Sequence, residues 1–218
     1  MKTNRLLLTA VITACTLSAT LNHATENASQ RKYQVVIIQG AGYLPDTKKP
    51  EGADAFTKAT TKVLNTYVLT TALTKKLNAL NMTVTVLSYT ECAELKSLYT
   101  SPEGKHRHTD LVIFAGPSHF SKQPPQLTKL YRKLEIPVKK NPKLLCSTLV
   151  PAWYPNTKGK STIKVAAKAF VKAGAGVVEG VSILTPRDDK KGATAKEVDK
   201  ALTEFAERLS KALISSTK

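Results

Sequence analysis

Five short apolar runs, separated by longer segments of helical periodicity, constrain the fold of this 218-residue chain most strongly. Parallel strands that are covered on both faces have this near-continuous apolar character. Their alternation with helices predicts a parallel sheet wrapped by helices through right-handed crossovers. The expected fold class is therefore α/β, a three-layer doubly wound sheet of five parallel strands. The predicted strands are Tyr33–Gln39, Met82–Leu87, Leu111–Ala115, Lys143–Val150 and Gly176–Leu184.

The segments between these runs carry the boundary signals of amphipathic helices. Apolar residues recur at helical spacing from Phe56 to Leu80, which predicts the first and longest crossover helix. The later helices are marked by start and stop residues. These are a proline pair at Pro124–Pro125, a cap at Ser161 or Thr162, a stop at Gly174, and a capping box formed by Thr194 and Glu197.

The first residues have the features of an export signal. Lys2 and Arg5 precede an apolar run from Leu6 to Ala14, and this run is too short to span a bilayer as a mature helix. We therefore expect the protein to be exported to the periplasm or cell envelope. Removing such a leader takes away two cations and no anions, so the mature chain stays strongly basic.

Two cleavage sites remain open. The four residues that end at Cys15 resemble the lipobox of bacterial lipoproteins, in which an acylated cysteine anchors the mature chain in the membrane. The alternative is a cut after Ala24, with Cys15 as an apolar residue of the leader. The predicted organisation is a signal peptide over 1–24, or a lipoprotein leader over 1–14, then a tether over 25–31 and one domain over 32–218.

The formal net charge of +17 points to anionic partners, such as phosphates, acidic proteins or lipid head groups. The lysines and arginines are scattered, with no run and no interleaved aromatic residues, so no nucleic-acid partner is expected. His106 and His108 alternate in a basic loop without carboxylates, and no metal site is predicted.

The loop after the third apolar run carries the most specific motif. Residues Ala115–Phe120 read Ala-Gly-Pro-Ser-His-Phe, and a helix that opens on a proline pair follows. In open α/β sheets, ligands bind beyond the carboxyl ends of the strands, where this loop begins. The motif resembles the corresponding loop of flavodoxins and of the related FMN-dependent quinone and flavin reductases.

This resemblance implies a flavodoxin-like fold with strand order 2-1-3-4-5 and a site for FMN. In these proteins the loop lies against the isoalloxazine ring and provides backbone hydrogen bonds together with an aromatic or basic side chain. His119 would lie closest to the redox chemistry and is the candidate catalytic residue. The residues that the resemblance assigns to the ring are Gly116, Pro117, Ser118, His119 and Phe120.

Two further loops complete the predicted site. Trp153 and Tyr154 follow the fourth strand and form a candidate second wall, although packing against the Leu145 region is an equal alternative. Gly40 and Gly42 follow the first strand, where flavodoxins hold the phosphate, but the family's hydroxyl residues are missing there. Three possibilities stay open: contact through Thr57, Thr60 and Thr61, neutralisation by Lys48 and Lys49, or loss of FMN binding.

The strand order also makes a prediction for the cysteines. Cys92 follows the second strand and Cys146 lies in the fourth, about 14 Å apart at ~4.8 Å per strand. A disulfide needs Cα atoms within about 7 Å. Both thiols are predicted to be unpaired, with Cys146 buried.

Two functions follow from these features. The first is an exported FMN-binding redox protein, either an electron carrier or an FMN-dependent oxidoreductase of the NAD(P)H:quinone or flavin reductase type. Its partners would be FMN, a redox protein or quinone, and the membrane through Cys15. The alternative is a flavin-free envelope protein that uses the same scaffold to bind an anionic partner.

Overall fold

The predicted apolar runs form parallel strands of one sheet. The strand order is β2-β1-β3-β4-β5, with β6 also paired to β4, and every pair is parallel. This confirms the predicted α/β class and the order 2-1-3-4-5. The strands are β1 Gln34–Gln39, β2 Thr83–Ser88, β3 Leu111–Ala115, β4 Leu145–Ala152, β5 Gly176–Val177 and β6 Val181–Leu184.

The computed structural model describes residues 32–40, 62–92, 94–99, 108–118, 121–185 and 192–217, with the backbone alone given for 62–65 and 217. All the elements named here belong to the unit Tyr33–Lys218. The expected leader, with Cys15, lies outside the described residues. Within the described part, none of the helices is long and apolar enough to cross a membrane.

The predicted fifth strand is divided into β5 and β6 by a bulge. Cys146 of β4 pairs with Val177, and Leu149 pairs with Val181, so two residues of β4 face three on the neighbouring strand. A Cβ atom at Gly180 would lie 2.6 Å from the Thr148 carbonyl oxygen, so a larger residue would not fit there. The bulge therefore depends on a close tertiary contact, and the apolar run alone does not reveal it.

Helices cover both faces of the sheet. Helices α1 and α5 pack on one face, and α2, α3 and α4 pack on the other. Consecutive residues of β3 point to opposite faces, because side chains alternate along a strand. The described α-helices are α1 Lys62–Ala79, α2 Pro125–Tyr131, α3 Glu135–Lys140, α4 Lys160–Lys172 and α5 Ala195–Thr217, and a 3-10 helix spans Lys96–Leu98.

Most helix boundaries agree with the sequence signals. Gly174 ends α4 with a left-handed backbone (φ 83°), and its N–H donates to the Val171 carbonyl at 2.9 Å. At the start of α5, the Thr194 N–H donates to Glu197 at 2.7 Å and the Glu197 N–H donates to the Thr194 hydroxyl at 3.3 Å. The stop residue and the capping box are thus confirmed.

One helix prediction is wrong, and one helix has no prediction. The predicted cap of α4 at Ser161 or Thr162 is wrong, because a π-helical turn over Pro155–Gly159 runs directly into the helix and places both residues inside it. Helix α3 was not predicted at all, since Pro137 interrupts its helical pattern.

The core beneath α2 and α4 centres on three aromatic rings. Phe114 of β3 lies edge-on to Tyr131, with ring centroids 5.0 Å apart, and stacks on Phe170 at 5.3 Å. Such pairs add stabilisation beyond the burial of their area. They join β3 to α2, which follows the loop Gly116–Pro124, and to α4.

Candidate functional site

Three strands end side by side at the carboxyl edge of the sheet, and their pairing continues into the loops. The Gly40 N–H donates to the Ala115 carbonyl at 2.8 Å. The Gly116 N–H donates to Leu149 and the Ser118 N–H donates to Pro151, both at 3.0 Å. The loop after β3 is therefore fixed against the end of β4, where Trp153 and Tyr154 follow. The described part of one predicted wall, up to Ser118, thus lies against the strand that leads into the other wall.

The hydroxyl of Ser118 ties this loop to the first turn of α4. Its Oγ lies 2.8 Å from Thr162 Oγ1 and donates to the Lys158 carbonyl at 3.3 Å. Thr162 Oγ1 also donates to the same carbonyl at 2.8 Å. The sequence predicts either Ser161 or Thr162 as a helix cap, whereas in the structure Thr162 lies inside the helix and positions the loop that carries the motif.

Gly40 and Gly116 have a packing role in the described structure. Leu127 of α2 is fully buried, and its side chain occupies the space where a Cβ atom would lie at either glycine. The absence of side chains thus lets α2 approach the ends of β1 and β3. Contact of these glycines with a flavin stays a prediction.

Gln123 is a structural residue of the site that sequence reasoning missed. It is 3% exposed, its Nε2 donates to the Phe114 carbonyl at 2.9 Å, and its Oε1 accepts a hydrogen bond from the Tyr131 hydroxyl. Burial raises the pKa of Tyr131, so this hydroxyl stays a donor. The amide joins both ends of the loop to the core. A glutamine before a proline pair gives no sequence signal for this role.

The second wall begins where β4 ends. Trp153 is half-buried, whereas Tyr154 is 53% exposed. The Tyr154 carbonyl accepts the N–H of Gly159 at 3.0 Å and so closes the π-helical turn. Turns of this kind occur frequently at functional sites. An exposed aromatic ring on a fixed backbone is a surface on which a flat ligand can stack.

The end of β1 offers an unused hydrogen-bond donor. The Gln39 side chain is 3% exposed, and its Oε1 accepts a hydrogen bond from the Thr70 hydroxyl at 3.4 Å. Its Nε2 has no hydrogen-bond partner in the described structure. A buried donor without an acceptor is costly, and an anionic ligand at this edge would supply one.

Several predicted site residues lie outside the described part of the chain. These residues are His119, Phe120, Gly42 and the threonines and lysines proposed for the phosphate. The chain is described again from Ser121, which takes a left-handed backbone with φ 66°. Such a conformation is uncommon in a residue other than glycine and marks a constrained loop.

The described residues can provide stacking surface and a phosphate donor for FMN, but not the backbone hydrogen bonds to the flavin ring. Tyr154 provides stacking surface, and Gln39 provides a free donor near the loop expected to hold the phosphate. The N–H groups of Gly116 and Ser118 are already paired with β4. The backbone hydrogen bonds implied for the flavin would therefore come from elsewhere in the loop. No cluster of three potential metal ligands occurs among the residues described.

Comparisons with known proteins agree with this architecture. No protein-family model matches the sequence, and no significant relative was found among curated proteins. Among solved structures, a flavodoxin from Streptococcus pneumoniae TIGR4 has a TM-score of 0.51 at 15% identity, covering 82% of this chain and 98% of its own. A short-chain flavodoxin associated with a bacterial microcompartment has a TM-score of 0.53 at 14% identity, covering 83% and 99%.

A longer protein is similar over the same fold. Rubredoxin oxygen:oxidoreductase from Desulfovibrio gigas matches 88% of this chain with a TM-score of 0.54 at 13% identity. The match spans 39% of the length of that protein. At these identities the likeness concerns the fold alone, because one fold can carry many unrelated functions. Together with the strand order and the helical layers, it shows that the chain has the flavodoxin-like fold.

Proposed function

We propose that the protein binds FMN at the carboxyl edge of its sheet and takes part in electron transfer or in flavin or quinone reduction. The observation that carries this proposal is the bond between the two loops at that edge. Ser118 donates its N–H to the Pro151 carbonyl at 3.0 Å, which fixes the Gly-Pro-Ser motif against the end of β4, where the chain leads to exposed Tyr154. In a sheet of this order, ligands bind at this edge.

Each residue at the edge has a stated role in the proposal. Tyr154 stacks on the flavin, Pro117 and Ser118 form the opposing wall, and Gln39 donates to the phosphate. His119 contacts the ring and influences its potential, and Phe120 adds apolar surface. When bound, FMN supplies the electron and hydride chemistry, and the protein holds, orients and shields the ring.

The proposal includes export. Lys2, Arg5 and the apolar run that follows support a signal peptide, and Cys15 supports acylation after cleavage. Mass spectrometry of the protein from the membrane fraction tests both points. A mature N-terminus at acylated Cys15 supports a lipoprotein. An unmodified N-terminus at Thr25 supports a periplasmic protein without an anchor, and an intact Met1 contradicts export.

Absorption spectroscopy of the purified protein, with and without added FMN, tests the cofactor. We expect the visible bands of bound oxidised flavin and quenching of FMN fluorescence on titration. A colourless protein that leaves FMN fluorescence unchanged would overturn the proposal. It would favour the alternative, a flavin-free scaffold that binds an anionic partner. The N–H groups of Gly116 and Ser118 agree with this alternative, because they donate to β4 and are not free to bind a flavin.

Two matched histidine variants locate the site. His119→Ala should weaken FMN binding or shift the flavin potential. His108→Ala should change neither, because exposed His108 precedes β3 at the opposite edge of the sheet. Tyr154→Ser should lower FMN affinity up to about tenfold, the loss expected for one stacked ring. Equal effects of the two histidine changes on FMN binding would show that His119 is not part of the site.

A further inference from the structure

The two faces of the sheet carry different charge. Helices α2, α3 and α4, with the residues that join α2 to α3, hold nine lysines and arginines but one carboxylate, Glu135. Helices α1 and α5 hold seven cations and four carboxylates. All nine cations on the first side are exposed, and we call them the basic face: Lys129, Arg132, Lys133, Lys139, Lys140, Lys160, Lys164, Lys168 and Lys172.

Helix α4 concentrates this charge along one line. Lys160, Lys164, Lys168 and Lys172 recur at every fourth position and are exposed, whereas Ala166 and Phe170 on the same helix are buried. Residues three or four apart are neighbours on a helix, so these like charges repel one another and lower its stability. The helix contains no acidic residue that would relieve the repulsion.

On the opposite side, two lysines are paired with carboxylates. Lys76 of α1 pairs with Asp199 of α5 at 2.6 Å, and Lys200 pairs with Glu204 at 3.9 Å. On the basic face, Lys133 pairs with Glu94 at 3.1 Å. The four lysines of α4 form no ion pair with any residue that the structure describes. Their charge is therefore available to an external ligand.

Exposed aliphatic side chains lie among these cations. Val165 and Val171 of α4 are 37% and 65% exposed, and Ile136 of α3 is 52% exposed. Lysine side chains themselves combine an apolar stem with a charged end. The face thus presents ammonium groups and short apolar side chains together, as do helices that lie in the interface of a membrane.

The composition of the face distinguishes between anionic partners. Eight of its nine cations are lysine, and the described residues of α2, α3 and α4 expose no aromatic ring. Protein–protein interfaces favour arginine and aromatic residues and are depleted in lysine. Single-stranded nucleic acids are bound by aromatic stacking. Anionic lipid head groups attract lysine through the surface potential, without a fixed geometry.

We propose that the basic face docks on a membrane surface rich in anionic lipids. The lysines of α4 and α3 lie near the head groups, and Val165, Val171 and Ile136 enter the boundary between head groups and acyl chains. This interaction is independent of FMN and of acylation at Cys15. It would add a second attachment to a lipid anchor, and stable membrane association commonly needs two such signals.

Vesicle co-sedimentation tests the proposal with the full-length chain carrying Cys15→Ala, so that no acyl group contributes. The vesicles contain phosphatidylcholine alone or phosphatidylcholine mixed with phosphatidylglycerol. The test variant carries Lys164→Gln, Lys168→Gln and Lys172→Gln. The control carries Lys196→Gln, Lys200→Gln and Lys211→Gln on α5, which removes the same charge from exposed positions on the other side of the sheet.

We expect binding to the anionic vesicles that high salt abolishes, and little binding to neutral vesicles. The α4 variant should bind about tenfold to a hundredfold more weakly, as expected for three lysines near an anionic surface. The α5 variant should lose much less affinity. Equal losses in the two variants would show that net charge alone matters, and absence of binding to anionic vesicles would also overturn the proposal.

A second variant distinguishes a membrane from an acidic protein. Val165→Gln with Val171→Gln keeps the charge and the helix propensity of α4 but removes its exposed apolar groups. We expect a severalfold loss of vesicle affinity and no change in affinity for polyglutamate. If vesicle affinity is unchanged and polyglutamate binds more tightly than the vesicles, the occupant of the basic face is an acidic protein surface and the membrane proposal fails.

Discussion

Leu127 of α2 lies against Gly116 at the end of β3, with its Cδ1 atom 2.6 Å from the place that a Cβ atom at Gly116 would occupy. Gly116 also begins the Gly-Pro-Ser motif that suggested a flavin site. The same glycine therefore serves the packing of α2 on the sheet. Its presence in the motif has a structural reason that does not depend on any ligand.

Gly116→Ala should lower the free energy of unfolding by about 1–3 kcal/mol, as expected when a methyl group is forced into a filled space. The Pro124 ring, 3.4 Å from the same position, limits the movement available to the loop. Chemical denaturation measures the change. In a double-mutant cycle with Leu127→Ala, the combined cost should be smaller than the sum of the single costs. Additive costs would contradict the contact.

Gln123 should matter more for stability than its place in a loop suggests. Gln123→Met keeps the approximate length of the side chain but leaves the buried hydroxyl of Tyr131 and the Phe114 carbonyl without this partner. We expect a loss of about 1–3 kcal/mol in the free energy of unfolding, the cost of unsatisfied buried groups. Denaturant unfolding measures this loss as a lower midpoint, with the m-value unchanged.

Tyr131→Phe provides the matched control for Gln123. It removes the hydroxyl and keeps the ring, which is packed between Phe114 and Phe170. Combined with Gln123→Met, it should recover part of the loss, because the hydroxyl no longer needs an acceptor. A double variant as unstable as the sum of the two single variants would disprove the proposed coupling.

The strands and their order could be predicted because strands covered on both faces must be apolar along their whole length. The features that were missed depend on contacts between distant residues. The bulge between β5 and β6 requires Gly180 to lie against Thr148, and the π-helical turn before α4 places Gly159 against Ser182 of β6. A local pattern contains neither contact.

The candidate site was predictable in position and less so in detail. The motif located Ser118 beside the loop of Trp153, since both follow neighbouring parallel strands. The sequence did not indicate that the Ser118 hydroxyl would bond to Thr162, or that Gln123 would be buried. Side chains such as these are satisfied by whichever partner the tertiary fold brings near, so their type alone does not specify their role.

Cys92 and Cys146 should be unreactive in the folded protein. Both are free and Cys146 is buried, which confirms the prediction, and Cys92 is buried as well. Burial raises the pKa of Cys146, and it raises the pKa of Cys92 more than a hydrogen bond with Ser97 lowers it. Since the thiolate is the reactive form, reagents should reach these residues mainly through unfolding.

Thiol titration with Ellman's reagent checks this in the Cys15→Ala chain. We expect no fast reaction in buffer and reaction of two thiols per chain in denaturant. Prior treatment with a reductant should not change the number of thiols that react. Fast modification of the native protein would contradict the burial. A yield of two thiols that requires the reductant would reveal a disulfide and contradict the strand order as well.

The capping box of α5 should make stability depend on acid pH. The backbone N–H of Thr194, and then its hydroxyl, donate to Glu197 and hold the pKa of this carboxylate below its usual 4.5. A carboxyl group whose pKa is lowered on folding stabilises the native state above the pKa of the unfolded chain. That contribution is lost as the pH falls through the lower, folded value.

Glu197→Gln should therefore be less stable than the parent chain near neutral pH. The difference should begin to shrink below pH 4.5, where the carboxyl group of the unfolded parent takes up a proton, and it should be gone once the pH has fallen through the lower pKa of the folded state. Thr194→Ala should cost about 1 kcal/mol near neutral pH, a typical value for loss of an N-cap. Thermal or denaturant unfolding between about pH 2 and pH 7 measures both effects.

Glu207→Gln is the control, because Glu207 is exposed on the same helix outside the box. A difference for Glu197→Gln that stays constant across this range, or that Glu207→Gln reproduces, would show that the charge of Glu197 does not act through the cap.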